Sequence, residues 1–435
     1  MKVFATAVVG TSALRSEKVT FEVDTLNQRN TEVTQTTPLL QDFNNAEVDQ
    51  SAQRIAQVQQ QDLNLFVVSY NLGGINSKDV EKLANIATHL VNMSDNEPAK
   101  VFAFQEVMEL KTNAVWEWVY LNKKGKALEL ALQNALNEKH QCNGCYKRVE
   151  STSMWAQRTV VFAKTDAIVE ARALNPWKPA LSTGNKGAVA MHITMKNAQK
   201  TASALVLNVH LPSEDGREAD NKRAIMFDKI TKFYSAYKSG KKTENFFADA
   251  QGKKKNVIAT GDFNARLNLN KKNVDQANFV KTQMSNAEKL INDPTLAHIA
   301  DFSDKLFNGA DNFFKAMTSQ NLHVTHKGGC LNLKTVHTNL NFGFVEKPKT
   351  FMPTYKVQHN LQKVQKATSN YHQTNVNGVQ LNYFDVKNGK KCMPAWTDRV
   401  FLHGDNKTAD DILSYKSDPT LTESDHLPVS AVIKL

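Results

Sequence analysis

The sequence predicts an α/β protein in which stacked β-sheets are flanked by helices. Two observations carry this. Short apolar runs rich in Val, Ile and Phe recur from about residue 62 onward, and stretches with apolar residues every three or four positions lie between some of them. The runs are Leu63–Tyr70, Val101–Phe104, Thr159–Phe162, Ala188–Ile193, Ala204–Val209, Val257–Thr260, Arg399–Leu402 and Ser430–Ile433, all of strand length. Val80, Leu83, Ile86, Ala87, Leu90 and Val91 follow one helix face, as do Leu128, Ala131, Leu132, Ala135 and Leu136.

Residues 1–61 have a different texture, rich in Thr, Gln and Asn, with Gln50, Gln53, Gln57, Gln59, Gln60 and Gln61 crowded together. They read as an N-terminal extension to a single domain spanning 62–435. Two long polar stretches, roughly 268–345 and 357–390, read as helices and surface loops that shape a nearby site.

Hydrophobic residues make up 41% of the 435, enough for a large core, and no apolar run reaches membrane-spanning length. The net charge is +11; residues 1–60 carry −2, so the body carries +13. A basic body favours polyanionic partners: nucleic acid, an anionic membrane face or a phosphorylated small molecule. Four cysteines are too few for a disulfide framework, so reducing, cytosol-like conditions are expected, with Cys142 and Cys145 as reduced thiols in preference to a redox or zinc pair. The chain is read as cytoplasmic or peripheral at a membrane, with secretion from a pathogen into a host as the alternative. The spacing of His323, His326, Cys330 and His337 fits no zinc pattern.

The placement of polar residues against the apolar runs is the informative feature. Asn71 ends the first run and Glu106 follows the second. His210 ends another, Asp262 and Asn264 follow the next, and Asp425-His426 precede the last. Each alone is ordinary turn chemistry. If the ends converge, they make a hydrolytic site for a hard cation. Asn71 and Glu106 supply oxygens suited to Mg²⁺, which keeps several of its waters. Asp262 orients or deprotonates the attacking water, and His210 and Asn264 donate to phosphoryl oxygens. Asp425 fixes the tautomer of His426.

These residues lie in segments that resemble a known superfamily. Ser69–Asn71, Phe104–Glu106, Asn208–Leu211, Gly261–Asn264 and Ser424–Val429 match, in order, the motifs of the endonuclease/exonuclease/phosphatase superfamily. Its fold is a four-layered α/β sandwich of two packed mixed sheets flanked by helices (DNase I-like). Three more segments resemble the inositol polyphosphate 5-phosphatases within it. These are Gly184–Val189 (G-N-K-G-A-V), Pro353–Lys356 (P-T-Y-K, preceded by Phe344, Glu346 and Phe351) and Pro394–Arg399 (P-A-W-T-D-R).

The resemblance implies a Mg²⁺-dependent phosphatase that removes the 5-phosphate of phosphoinositides or soluble inositol polyphosphates. It also implies transient contact with an anionic membrane surface. Lys186, Tyr355 and Lys356 would grip the neighbouring 4-phosphate, and Asp398 and Arg399 would line the site. Cys392 stands where that family carries Arg, and Lys391 beside it is assigned the phosphate contact. Thr397 replaces a family cysteine, expected to be a packing change. A nuclease and a catalytically weak phosphoinositide-binding protein are the alternatives; Lys186, Tyr355 and Lys356 suit a clustered small-ring polyphosphate better than a DNA backbone.

Overall fold

The computed structural model describes residues 62–74, 80–107, 114–179, 185–213, 217–265, 322–327, 335–340, 342–358, 371–376, 378–384, 394–421 and 423–435, with isolated positions between 285 and 317. Residues 1–61, Cys330, Lys391 and Cys392 lie outside them, as do the side chains of His323, His326 and His337.

The chain builds two mixed sheets. In chain order the first holds β1 (Asn64–Asn71), β2 (Ala99–Gln105), β3 (Tyr146–Met154), β4 (Gln157–Lys164), β16 (Ile412–Ser417) and β17 (Val429–Lys434), in the spatial order β16-β17-β1-β2-β4-β3. The second holds β5 (Ile168–Ala173), β6 (Gly187–Lys196), β7 (Thr201–His210), β10 (Asn256–Asp262) and β15 (Asp398–His403), in the order β15-β10-β7-β6-β5. A short hairpin, β8 (Tyr237–Ser239) and β9 (Lys242–Glu244), precedes β10.

Side-chain alternation on central strands explains the layers. Leu65, Val67, Val101 and Val161 from one sheet meet Met191, Ile193, Val206, Ile258, Val400 and Leu402 from the other. The outward residues Phe66, Val68, Phe102, Val160 and Phe162 pack under α1 (Val80–Asn92) and α2 (Ala114–Lys139) through Leu83, Ile86, Leu90, Leu128, Leu132 and Leu136. On the far side, Leu205, Leu207, Val257 and Ala259 pack under α3 (Arg217–Ser235) through Ala224, Phe227, Ile230 and Tyr234. Two sheets between two helical layers are the four-layered sandwich expected from the sequence. No helix among the described residues is long and apolar enough to cross a membrane.

The structure differs from the sequence reading at three points. The two long polar stretches, where Ser285, Glu288 and Met317 are helical as expected, also hold two β-hairpins that the sequence did not show: β11 (Leu322–Lys327) with β12 (Thr335–Leu340), and β13 (Tyr371–Val376) with β14 (Val379–Phe384). Cys142 and Cys145 are joined in a disulfide, because the turn from α2 into β3 brings their Cα atoms to 5.8 Å. Helix α3 went unread, although Ala219, Ala224, Phe227, Ile230 and Tyr234 recur at helical intervals within it.

Candidate active site

The parallel neighbours β1 and β2 pair Asn71 with Gln105, and β7 and β10 pair His210 with Asp262. Antiparallel β15 starts where β10 stops, setting Asp398 opposite Asp262. Five strand ends from two sheets thus open on one pole.

Under the pole lies a buried polar bridge between the sheets. Gln105 Nε2 donates to Asn208 Oδ1 at 2.7 Å, and Ser69 Oγ donates to Gln105 Oε1 at 3.3 Å. Asn208 Nδ2 reaches Phe104 O (3.1 Å), Arg158 O (3.0 Å) and Thr159 Oγ1 (3.2 Å). Ser69, Gln105 and Asn208 are the non-catalytic letters of the conspicuous motifs, and that placement was the signal that could have singled them out. Asn208→Ala removes the inter-sheet acceptor of Gln105 Nε2, which keeps only its weaker bonds to Ser69 Oγ and Ala103 O, and takes a buried donor from two carbonyls. The expected loss in urea unfolding is about 2–4 kcal/mol.

Above the bridge sits Asp262, 1% exposed. Asn71 Nδ2 and Asn264 Nδ2 each donate to its Oδ2 at 3.0 Å, and Asn264 N donates to Oδ1 at 2.8 Å. Asn264 Nδ2 also donates to Leu211 O at 2.9 Å, so this amide holds Asp262 in place, a different task from the phosphoryl contact expected of it. His210 Nε2 lies 3.4 Å from Asp262 Oδ2 and 3.5 Å from Glu106 Oε1, and Lys186 Nζ touches the same ring nitrogen. Burial pushes the Asp262 carboxyl up, but His210, His426 and Lys186 outweigh it and hold the group well below the usual carboxylate range. Glu106 and Asn264 both adopt left-handed backbone (φ 48° and 51°), a local strain typical of functional positions.

The second half of the site corrects the sequence reading. His426 Nδ1 faces Asp398 Oδ2 at 2.8 Å, not Asp425. Asp425 turns outward and pairs with Lys356 at 3.4 Å. Asp398 is therefore the partner of the imidazole rather than a phosphate contact. Arg399 leaves the site-facing set, because successive strand residues point to opposite faces. Its side chain is buried, 3.6 Å from Glu346 and donating to Trp396 O at 3.0 Å. Burial depresses the His426 imidazole, yet the charge and hydrogen bond of Asp398, helped by Asp262 and Asp425, lift it to about 9.

Tyr355 bridges the two halves. Its backbone pairs with Ala395 and His426, and its ring lies 4.6 Å from the imidazole. Hairpin β13–β14 buttresses this segment: buried Tyr383 donates its hydroxyl to Pro353 O at 2.6 Å. The loop bearing His426 is held by Ser424 Oγ, which donates to Asn71 O at 2.7 Å, and by α1, where His89 lies 2.8 Å from Asp418 and Lys82 lies 3.4 Å from Glu423.

A family profile described as Endonuclease/Exonuclease/phosphatase family 2 matches residues 68–313 and 311–432. The chain belongs to this family. No curated protein matches it. Among solved structures, the chain is similar to the inositol polyphosphate 5-phosphatase domain of SPsynaptojanin in complex with inositol (1,4)-bisphosphate and calcium (20% identity, 92% of this chain, 90% of that one, TM-score 0.48). It is also similar to the Cimex nitrophorin ferrous NO complex (16%, 86%, 99%, 0.42) and to truncated Caenorhabditis elegans TDP2 (12%, 86%, 98%, 0.36).

Within the endonuclease/exonuclease/phosphatase site, two groups of ligands could meet a cation. Glu106, whose side chain is 40% exposed, offers carboxylate oxygens at the opening, and buried Asn71 offers Oδ1, which also accepts from Gly73 N at 3.0 Å; both are hard donors of the kind that fits Mg²⁺. Asp262, Asp398 and His426 also offer atoms within 4.8 Å of one another. In that second group His426 Nδ1 is engaged by Asp398 Oδ2, and a protonated imidazole has no lone pair to give a metal, so it suits proton handling.

Proposed function

We propose that the chain is a Mg²⁺-dependent phosphatase that removes the 5-phosphate from an inositol ring carrying a neighbouring 4-phosphate, on phosphoinositides or soluble inositol polyphosphates, with residues 62–435 as its catalytic domain. The observation that carries this reading is the position of Lys186, Tyr355 and Lys356. They abut His210, His426 and Asp425 respectively, so a phosphate grip borders the strand-end chemistry. An anion bound at these three donors orients the adjacent ester, and a substrate lacking it forgoes those contacts.

The ionised Asp262, clamped by Asn71 and Asn264, orients the attacking water. His210 faces the phosphoryl oxygens, and charged His426 supplies the proton that the leaving inositol oxygen needs. Glu106 and Asn71 would hold Mg²⁺, which when bound neutralises phosphoryl charge. Lys391 keeps its proposed phosphate contact from the sequence motif alone. Contact with an anionic membrane surface follows if the substrate is a lipid.

The test is phosphate release from phosphatidylinositol 4,5-bisphosphate, inositol 1,4,5-trisphosphate and nicked DNA, each with Mg²⁺ or EDTA. Mg²⁺-dependent release from the inositol substrates is expected, and the ratio of the two defines the substrate class. Cleavage of DNA alone would overturn the reading. The pH profile has a definite sign. His426 is raised from 6.5 to about 9 by the fold, so its contribution to stability is complete below 6.5 and is lost as pH rises through about 9. Its proton is lost over the same range, so kcat falls on the alkaline side near pH 9. A flat profile from pH 7 to 10 contradicts this.

A further inference from the structure

Asp398 accepts every hydrogen bond on one side-chain oxygen. Thr354 Oγ1 donates to Oδ2 at 2.8 Å, Thr397 Oγ1 donates at 2.9 Å, and His426 Nδ1 lies at 2.8 Å. The other oxygen, Oδ1, is equally buried and has no hydrogen-bond partner among the described residues. Thr354 Oγ1 also accepts from Asp398 N at 3.2 Å, which commits its proton to the carboxylate. Thr397 is placed differently. Its Oγ1 is 2.9 Å from Asp398 Oδ2 and 3.5 Å from His426 Nδ1, the third corner of a triangle with carboxylate and imidazole. Thr397 is fully buried, so bulk water does not compete for its hydroxyl.

We propose that Thr397 is a positioning residue of the hydrolytic site, whose hydroxyl shares Asp398 Oδ2 with His426 and so sets how tightly the imidazole holds its proton. The inference rests on the reading of Asp398 and His426 as a proton-handling pair. A donor to a buried carboxylate matters most when no positive charge sits beside it. The Thr397 hydroxyl therefore stabilises the state with neutral His426 more than the state with charged His426. Removing the hydroxyl makes Asp398 pull harder on the proton. The other charged groups facing the ring are Asp262 on β10, Asp425 on the same loop, and Lys356 beside Asp425, with the Tyr355 ring against it. A change at Thr397 leaves all of them in place.

The experiment is a pH titration of the histidine ring nitrogens by NMR on the full chain, with His426→Ala used only to identify the signal. Thr397→Val, which replaces the hydroxyl by a methyl of similar size, is expected to move the His426 midpoint upward by about half to one unit. Thr397→Ser keeps the donor and stays at the wild-type midpoint. Should Thr397→Val fail to fold, Thr397→Cys replaces it, because a thiol is a weak donor and moves the midpoint in the same direction. A Thr397→Val or Thr397→Cys midpoint equal to the wild type overturns the proposal, as does a Thr397→Ser midpoint that moves as far. Because the readout is the ring itself, a wild type that hydrolyses no inositol phosphate refutes the proposed function and leaves this titration to be judged separately.

Discussion

Asp398→Asn lowers kcat on inositol 1,4,5-trisphosphate by about a thousandfold, whereas Asp425→Asn costs about tenfold or less. The two acids look alike in the sequence, and the structure separates them. Asp398 is fully buried and accepts from two threonine hydroxyls and the imidazole on one oxygen. An amide there either offers N–H groups to three donors or presents a neutral oxygen that cannot keep His426 charged. In both cases the imidazole returns toward its ordinary range and is neutral at pH 7.5, so the leaving oxygen loses its proton source. Asp425 is about one-third exposed, and its pairing with Lys356 at 3.4 Å is of the kind that contributes about 1 kcal/mol or less. Steady-state kinetics of both variants at pH 7.5 check this. Equal losses, or a larger loss at Asp425, would return the role to the sequence neighbour of His426.

Gly261→Ala is expected to abolish folding. Gly261 lies inside β10, between β7 and β15, with φ at 139°, where an L side chain is strained. A Cβ there would sit 2.0 Å from Val209 O and 2.7 Å from Val209 N. Those atoms belong to the neighbouring central strand, so relief would require separating β10 from β7 one residue before Asp262. The cost is more than about 4 kcal/mol, against a total stability of about 5–15 kcal/mol for a typical domain. Gly252 is the control: its φ is also positive, at 80°, but nothing lies within 4 Å of the Cβ position. Gly252→Ala therefore costs only backbone strain, about 1 kcal/mol. Thermal melts of the two variants should differ by the presence or absence of a cooperative transition. A Gly261→Ala protein melting within a few degrees of the wild type would mean that β7 and β10 are not packed as described.

The interior of the fold was legible in the sequence because central strands are buried on both faces and read as uninterrupted apolar runs. All eight runs became strands, namely the interior strands β1, β2, β4, β6, β7, β10 and β17, and β15, an edge strand that is buried throughout because Val345 pairs with Leu402 on its outer side. Strands β3, β5 and β16 were not legible. The first two are sheet edges with mostly exposed or half-buried residues, and β16 is the opposite edge of the first sheet with only Ile412 and Tyr415 buried. Edge strands keep polar and charged residues against unwanted pairing, which erases the apolar signal.

The site divides in the same way. Residues that end strands, such as Asn71, His210 and Asp262, could be placed because the strand they end could be seen. The pairing of His426 could not. Adjacency in sequence suggested Asp425, but neighbours on extended chain point to opposite sides, so the imidazole found its carboxylate 28 positions away, at the start of β15. The same alternation sent Arg399 inward, whereas Thr397 lies just before β15 and turns its hydroxyl to Asp398 where the sequence suggested only a packing change.

The most direct measurement is hydrolysis of inositol 1,4,5-trisphosphate in ¹⁸O-labelled water with Mg²⁺, followed by ³¹P NMR of the released phosphate and of the remaining inositol bisphosphate. Water attack on the 5-phosphorus, oriented by Asp262 and completed by His426, predicts one ¹⁸O in the inorganic phosphate, none in the inositol, and retention of the 1- and 4-phosphates. Label in the inositol hydroxyl, or loss of the 4-phosphate first, would contradict the account.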